Sequence, residues 1–187
     1  MPFKPWCPVC VKSRGKEDPH YADTKKEKEE KGLPRISIDY AEVGNGEERE
    51  DTRKLLVGHD RWTKTTFCHL VQCKGLGDTR ISAKVRKSID RTGNTDMTLK
   101  GDGEPALVQV MEDVKNKRSH RTMLDHPPAH DPQANGEAER AVQEVKGEMR
   151  TIKLGLEARI EEEIDIKWPI LEWIVPHAPD CINRYLV

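Results

Sequence analysis

The first strong pattern along the chain is an alternation of apolar and polar residues at 35–40, which is typical of a β-strand with one buried face. An acidic loop rich in glycine and asparagine follows at 44–51. Two further β-prone runs lie at 55–57 and 65–71 and are separated by a polar turn. Their close spacing predicts a three-stranded antiparallel meander.

Beyond the meander the pattern alternates between helix and strand. At 79–91 apolar residues recur every fourth position, which is helical spacing. The elements predicted after it are, in chain order, a strand at 97–99, a helix at 104–117, a strand at 121–124, a long helix at about 136–160 and a last helix from near Trp168. This order predicts the α/β class, with a five-stranded mixed sheet flanked by helices.

The long predicted helix has two distinct faces. Its apolar stripe recurs at steps of three and four residues and consists of Val142, Val145, Met149, Ile152 and Leu156. A second stripe lies about 100° round the helix and consists of Glu139, Gln143, Lys146, Arg150 and Lys153. One carboxylate therefore stands at the start of a mostly basic ridge.

Composition bounds the class of protein. The chain has 187 residues, enough for one domain, and 32 basic against 33 acidic residues, so any contact with nucleic acid must come from local patches. Five cysteines with one close pair argue against a disulfide framework and favour a reducing compartment. The start of the chain has no apolar signal region. The apolar segment 168–187 carries charges and is broken by Pro176 and Pro179, so we expect no bilayer span.

Three acidic residues occupy positions where they could meet. The predicted order places the end of the first strand beside the end of the fourth, where Asp39 and Asp102 lie. Glu139 lies one turn inside the long helix. Carboxylates are the ligands that Mg²⁺ and Mn²⁺ prefer, and two such ions could clamp a phosphodiester. The sequence predicts a site of this kind, although a solvated surface acid is the ordinary reading of any one of the 33 acids.

Two other acidic residues lie close in sequence to the predicted triad but are not predicted to bind the same metal ions. Glu137 is two residues from Glu139, a rotation of about 200° on a helix, so the two carboxylates cannot face the same ions. Glu104 is expected at a helix N-terminus, where the helix dipole favours a negative side chain. Neither is included in the predicted triad.

The three acids lie in blocks that resemble, in order, the signature blocks of retroviral and long-terminal-repeat retrotransposon integrases. The blocks are Ile36-Ser-Ile-Asp39-Tyr40, Lys100-Gly-Asp102-Gly-Glu-Pro-Ala-Leu107 and His130-Asp-Pro-Gln-Ala-Asn-Gly-Glu-Ala-Glu139-Arg-Ala-Val142. The 36 residues at 103–138 make the last gap one residue longer than the family's D,D-35-E pattern. The resemblance covers about residues 5–187.

This resemblance implies a ribonuclease H-like fold and a fragment of a Pol-type polyprotein. It implies a polynucleotidyl transferase that processes a DNA 3′ end and joins it to target DNA, with Asp39, Asp102 and Glu139 as ligands of two Mg²⁺ or Mn²⁺ ions. In the family, positions one and two turns after the glutamate face viral DNA, and these are Gln143 and Lys146 here. Arg150 continues the same ridge, and the alternative for all of it is a solvated helix face. A homo-oligomer and a nuclear location are further expectations.

The N-terminal part contains a possible metal half-site. Cys7 and Cys10 form a CxxC pair that could give two thiolates to zinc, which needs four ligands in a structural site. The resemblance makes this the Cys half of an integrase zinc-binding region, and His20 is a weaker candidate ligand. The predicted organisation is a zinc-region remnant at 1–20, a charged linker at 21–34 and the catalytic core at 35–187.

Two alternatives to an active integrase core remain open at this point. One is an inactive or domesticated nucleic-acid-binding fragment with the same fold. The other is a ribonuclease H-like nuclease, against which the Asn-Gly-x-x-Glu-Arg block at 135–140 argues. Metal-dependent joining of DNA ends separates the three functions.

Overall fold

The computed structural model describes residues 7–9, 32–44, 52–126 and 136–185. The strands are β1 (Arg35–Gly44), β2 (Thr52–Asp60), β3 (Thr66–Val71), β4 (Met97–Gly101) and β5 (Thr122–Asp125). The helices of five residues or more within these ranges are α1 (Ile81–Arg91), α2 (Pro105–Lys117), α3 (Gly136–Ile160) and α4 (Ile170–Tyr185). A short 3-10 turn at Gly75–Gly77 connects β3 to α1.

The five strands form one mixed sheet in the order β3-β2-β1-β4-β5. β1 pairs with β2 and β2 pairs with β3 in antiparallel fashion, whereas β4 and β5 run parallel to β1. The predicted five-stranded mixed sheet and its meander are therefore confirmed. The first hairpin is longer than predicted, because β1 continues to Gly44 and β2 already begins at Thr52.

The sheet separates two apolar layers, because successive side chains of a strand point to opposite faces. On one face Ile36, Ile38 and Tyr40 of β1 pack with the buried sides of α1 and α2. On the other face Ala41 packs with residues of α3 and α4 such as Val145. Asp39 lies between Ile38 and Tyr40 and so shares the α3 face with Ala41.

The last helix differs from the sequence prediction. Pro176 and Pro179 were expected to break this segment, but α4 runs through both from Ile170 to Tyr185. Each proline removes one backbone hydrogen bond, at a cost of roughly 3 kcal/mol in an isolated helix. Burial of Ile174, Val175 and neighbouring residues against the sheet and α3 offsets that cost. No helix in the described ranges is long and apolar enough to cross a membrane.

A side chain of α4 reaches the edge of the sheet. Asn183 Nδ2 donates to the carbonyl oxygen of Thr66 at 2.8 Å, and the Thr66 amide donates to Asn183 Oδ1 at 2.8 Å. Because β3 is an outermost strand, these are backbone groups that no neighbouring strand pairs. Asn183 therefore fixes the C-terminal part of α4 to the edge of β3.

Candidate functional site

The register of the two central parallel strands brings two aspartates together. Ile38 of β1 is paired with Gly101 of β4, so Asp39 and Asp102 are the next residues on adjacent strands. Both are partly buried. Asp102 directly follows the carboxyl end of β4, as predicted, whereas Asp39 lies in the middle of β1, because that strand continues to Gly44 and does not end near Asp39 as the sequence predicted.

Glu139 acts on this pair from the first turns of α3, and its side chain is exposed. The pKa of Asp39 is raised to about 6, first by burial and then by the negative charge of Asp102. A hydrogen bond from the Tyr40 backbone lowers the Asp39 pKa, whereas the charges of Glu139 and Glu104 raise it further. The structure thus places Asp39 within electrostatic range of both Asp102 and Glu139.

Glu104 is held by a lysine that the sequence analysis did not single out. Glu104 stands at the N-cap position of α2, as predicted, but its side chain makes no cap hydrogen bond. Lys74 Nζ instead donates to both Glu104 carboxylate oxygens at 2.9 Å. The Glu104 amide in turn donates to Asp102 Oδ1 at 3.2 Å. One lysine therefore anchors the turn that carries Asp102.

The same lysine is tied to the strand that carries Asp39. Its ammonium group lies 5.2 Å from the centre of the Tyr40 ring, within the range of a cation–π contact. The Gly75 amide, one residue further on, donates to the Tyr40 hydroxyl at 3.0 Å in a buried position. The Lys74 pKa is raised, chiefly by its hydrogen bond to Glu104. No local sequence pattern indicates these contacts, because they join segments 30 or more residues apart.

Glu137 occupies a separate cluster. Arg35 Nη2 and Arg61 Nε each lie 3.4 Å from Glu137 Oε1, and the Ser37 hydroxyl donates to Oε2 at 3.4 Å. Two arginines and a serine therefore bind this carboxylate. Its orientation differs from that of Glu139, as expected for two residues that are about 200° apart on a helix.

The donor set suits a hard divalent cation, since all three predicted ligands are carboxylates. Burial is the main cause of the raised Asp39 pKa, and the negative charge of Asp102, which adds to it, is one that a bound cation would offset. Within the described ranges, no three His, Cys, Asp or Glu side chains are close enough to surround one ion. The three carboxylates of the predicted triad are therefore not close enough together, as they stand, to bind one ion jointly.

The basic ridge runs from Glu139 along α3. Gln143 and Arg150 are exposed, and Lys146 is half-buried. Lys146 and Arg150 line a cleft of about 780 Å³ between α3, the end of β1 and the start of α4. Lys153, the next residue of the ridge, lies 3.6 Å from Glu157 in an ion pair within the helix.

The predicted zinc ligands fall mostly on parts of the chain that are not described. Cys7 is partly exposed. Cys10 and His20 lie outside the described residues, as do most of the predicted linker and residues 130–135 of the third sequence block. The zinc half-site and the domain boundaries stay predictions.

Comparisons with known proteins give matches among solved structures. No family model matches the chain, and no curated protein matches it. The catalytic core domain of HTLV-2 integrase in complex with magnesium, in its dimeric form, is 17 % identical with a TM-score of 0.57. That match covers 82 % of this chain and 89 % of the other. The trimeric form gives 16 % identity and a TM-score of 0.56, covering 82 % of this chain and 88 % of the other.

A chain of the simian T-cell lymphotropic virus intasome in complex with PP2A regulatory subunit B56 gamma also matches. It is 14 % identical with a TM-score of 0.56, and the match covers 82 % of this chain. The present chain spans half the length of that intasome chain. At these identities the likeness concerns the fold, which is the ribonuclease H-like fold of retroviral integrase catalytic cores. The predicted fold is therefore confirmed.

Proposed function

We propose that this chain is the catalytic core of a retroelement integrase, a polynucleotidyl transferase that processes a DNA 3′ end and joins it to target DNA. The observation that carries the proposal is the strand register, which makes Asp39 of β1 and Asp102, directly after β4, neighbours in the centre of the sheet. Glu139 supplies a third carboxylate from α3, and its charge reaches Asp39. The likeness in fold to integrase cores supports the same reading.

Asp39, Asp102 and Glu139 would hold two Mg²⁺ or Mn²⁺ ions. When bound, such ions polarise the phosphate and stabilise the attacking and leaving oxygens of an in-line displacement. The contribution of the protein is to present carboxylates from two adjacent strands and one helix. With a pKa of about 6, Asp39 is mostly ionised at neutral pH even before cations neutralise its neighbours.

The proposed reaction has two displacements at phosphorus. In end processing, a water oxygen forms a bond to phosphorus near the 3′ end, and the bond to the 3′ oxygen breaks. In strand transfer, that 3′ hydroxyl forms the new bond to a phosphorus of target DNA and displaces another 3′ oxygen. Gln143, Lys146 and Arg150 would contact the DNA beside the reacting phosphate, because they follow Glu139 along one face of α3.

The complete reaction would need more than one copy of this chain. The two HTLV-2 cores are described in dimeric and trimeric forms, and the simian virus chain belongs to an intasome. We propose that this core also acts as a homo-oligomer, on element ends and target DNA, in the nucleus. The zinc-region remnant at 1–20 and the linker at 21–34 belong to the same proposal.

A second candidate function is an inactive nucleic-acid-binding module with this fold. One observation favours it, namely that no three potential ligands in the described ranges are close enough to surround one ion. Binding of DNA without any metal-dependent chemistry would then be the remaining activity. The two candidates differ in a single measurable step, the joining of a 3′ end.

The test compares two glutamates on the same turn of α3. Wild type, Glu139→Gln and Glu137→Gln are each incubated with Mn²⁺, a labelled blunt duplex with free 3′ hydroxyls and supercoiled plasmid. We expect wild type to transfer label to the plasmid and Glu139→Gln to lose this activity by at least about a hundredfold. Glu137→Gln should keep most of it, once its folding has been checked by circular dichroism.

Each other outcome has a defined meaning. DNA binding without label transfer in wild type supports the inactive module and overturns the proposal. Cleavage of an RNA–DNA hybrid without joining of the duplex supports the ribonuclease H-like nuclease. Equal loss in both glutamate variants contradicts the assignment of Glu139 as the third acid.

A further inference from the structure

Helix α1 carries a row of four cations along one side. They are Arg80, which immediately precedes the helix, and Lys84, Lys87 and Arg91 within it. Their spacing of four, three and four residues puts them on one line, and all four are exposed. The row lies roughly 130° round the helix from the buried apolar side of α1. We call these four residues the basic row.

Among the described residues, no carboxylate forms an ion pair with a side chain of the basic row. The carboxylate of buried Asp78 lies near one end of the row, where its Oδ1 accepts a hydrogen bond from the Arg80 backbone amide at 3.1 Å. The acid of α1, Asp90, lies instead 3.4 Å from the buried Arg118. The positive charges of the basic row also affect a partly buried histidine. The pKa of His69 on β3 is lowered to about 4, first by burial and then by the positive charges of Lys84 and Arg91.

Contacts on both sides of α1 fix the direction in which the basic row faces. Ser88 lies 3.0 Å from His69 Nε2, so the row side of α1 is next to β3. On the other side Arg86 donates to the Lys117 carbonyl oxygen at 3.2 Å, at the end of α2. The row therefore occupies the outer flank of α1. It is separated by the sheet from the α3 ridge, because α1 and α3 cover opposite faces.

One end of the basic row lies toward the acidic site. β3 runs parallel to β1 and β4, so it runs toward the side of the sheet on which Asp102 follows β4. The chain then returns along α1 in the opposite direction, which places Arg80 nearest that side and Arg91 farthest from it. Cations thus extend from that side along the flank of the molecule.

We propose that the basic row binds the phosphate backbone of double-stranded DNA, as a second surface distinct from the α3 ridge and independent of metal. The row is about 16 Å long, and a duplex of that length carries on the order of ten phosphates, enough to neutralise all four cations. Contacts of this kind have no sequence preference. They would hold a duplex along the flank with one end directed to the acidic site.

A nucleic acid fits this surface better than a lipid bilayer does. A helix that lies on a membrane inserts apolar side chains beside its cations. The apolar side of α1 is instead part of the core, where Ile81, Val85 and Ile89 are fully buried. None of the large exposed apolar side chains in the described ranges belongs to α1. The surface therefore offers charge without an apolar anchor.

The test measures binding of a fluorescent 30-base-pair duplex by anisotropy, with a chelator present and across a range of salt. The row variant changes Arg80, Lys84, Lys87 and Arg91 to Gln. The matched control removes the same charge from four scattered exposed residues, by changing Lys115, Arg121, Arg159 and Arg184 to Gln. We expect the row variant to bind at least about tenfold more weakly at 0.1 M salt and to lose up to about 3–4 from the salt slope.

The control should lose less than about threefold in DNA affinity, since its charges are not arranged to contact one backbone. Equal losses in the two variants, with both folded by circular dichroism, would reduce the effect to net charge and overturn the proposal. Row-dependent binding to anionic vesicles without binding to DNA would also overturn it. Because the chelator removes divalent metal, the measurement does not depend on the proposed metal site, which separates this proposal from the catalytic one.

Discussion

Lys74 Nζ lies 2.9 Å from each carboxylate oxygen of Glu104, two residues after Asp102. Four carboxylates therefore belong to the site, namely Asp39, Asp102, Glu139 and Glu104. One of them, Glu104, is paired with a lysine of the same chain. The ion pair is about one-third exposed on both sides. An ion pair so exposed contributes little to stability, and its main effect is to offset the charge of Glu104 beside the other three acids.

Replacing Lys74 by Met is expected to free Glu104 and to add uncompensated negative charge beside Asp102. Because added negative charge favours a bound cation, affinity for Mn²⁺ should rise, by roughly two- to tenfold in calorimetric titration. DNA joining should fall, since an additional ligand competes with the intended geometry. The double variant Lys74→Met, Glu104→Gln restores the charge balance and should recover wild-type Mn²⁺ affinity. Unchanged affinity in the single variant would contradict this role.

The stability of the metal-free protein should depend on Asp39 in a defined pH range. Its folded pKa of about 6 exceeds the ordinary aspartate value of 3.8, so the folded state binds more protons between these values. The contribution of Asp39 is then fully present below pH 3.8 and is lost as pH rises through 6.

The variant Asp39→Asn should therefore be more stable than wild type above pH 6, by on the order of 1 kcal/mol after solvent screening. The difference should vanish near pH 4 in urea denaturation with a chelator present. Taking the difference between the two proteins cancels the opposite contribution of the partly buried His69. A gain that is constant from pH 4 to 8 would show that burial of a polar group, and not its charge, is responsible.

Lys146 and Arg150 are expected to bind DNA phosphates in the reaction. Changing both to Ala should raise the KM for duplex DNA severalfold and reduce the salt slope by roughly one for each phosphate that the variant no longer neutralises. Lys153→Ala is the control on the same ridge, because this lysine lies 3.6 Å from Glu157 in an ion pair. An equal effect of the Lys153 change would favour a general helix charge over specific binding.

Arg118 is expected to be important for stability alone. Its side chain is 1 % exposed and donates to Thr122 Oγ1 at 2.7 Å and to the Asn94 carbonyl oxygen at 2.9 Å. Arg118→Met leaves these acceptors unsatisfied and should lower the free energy of unfolding by about 2–4 kcal/mol in urea denaturation. The exposed neighbour Arg121→Met should change it by less than about 0.5 kcal/mol.

Periodicity in the sequence predicted the order of the elements well, because each strand and helix buries one consistent face. The end of α3 at Ile160 and the start at Gly136 agree with the stripe at 142–156. Local rules were less reliable where tertiary packing decides. The continuation of α4 through Pro176 and Pro179 depends on burial against the sheet, which no local pattern reports.

The candidate site, too, could be predicted from the sequence only in part. The positions of Asp39 and Asp102 follow from the strand order, and the separation of Glu137 from Glu139 follows from helical rotation. The roles of Lys74 and Tyr40 could not be predicted, because their interactions with Glu104 and Gly75 depend on how distant turns meet. The spacing of the basic row on α1 is visible in the sequence. The sequence does not show that these four cations lack ion-pair partners in the described ranges, since this depends on which acids are paired elsewhere.

The side-chain amide of Asn183 covers backbone groups at the outer edge of β3. By bonding to both the N–H and the C=O of Thr66, it provides what an incoming strand would provide at that position. A second chain that tried to extend the sheet at β3 would first have to displace this side chain. Helix α4 therefore protects the sheet against edge-to-edge aggregation, and Asn183→Ala should make the protein more prone to form fibrillar aggregates on mild heating.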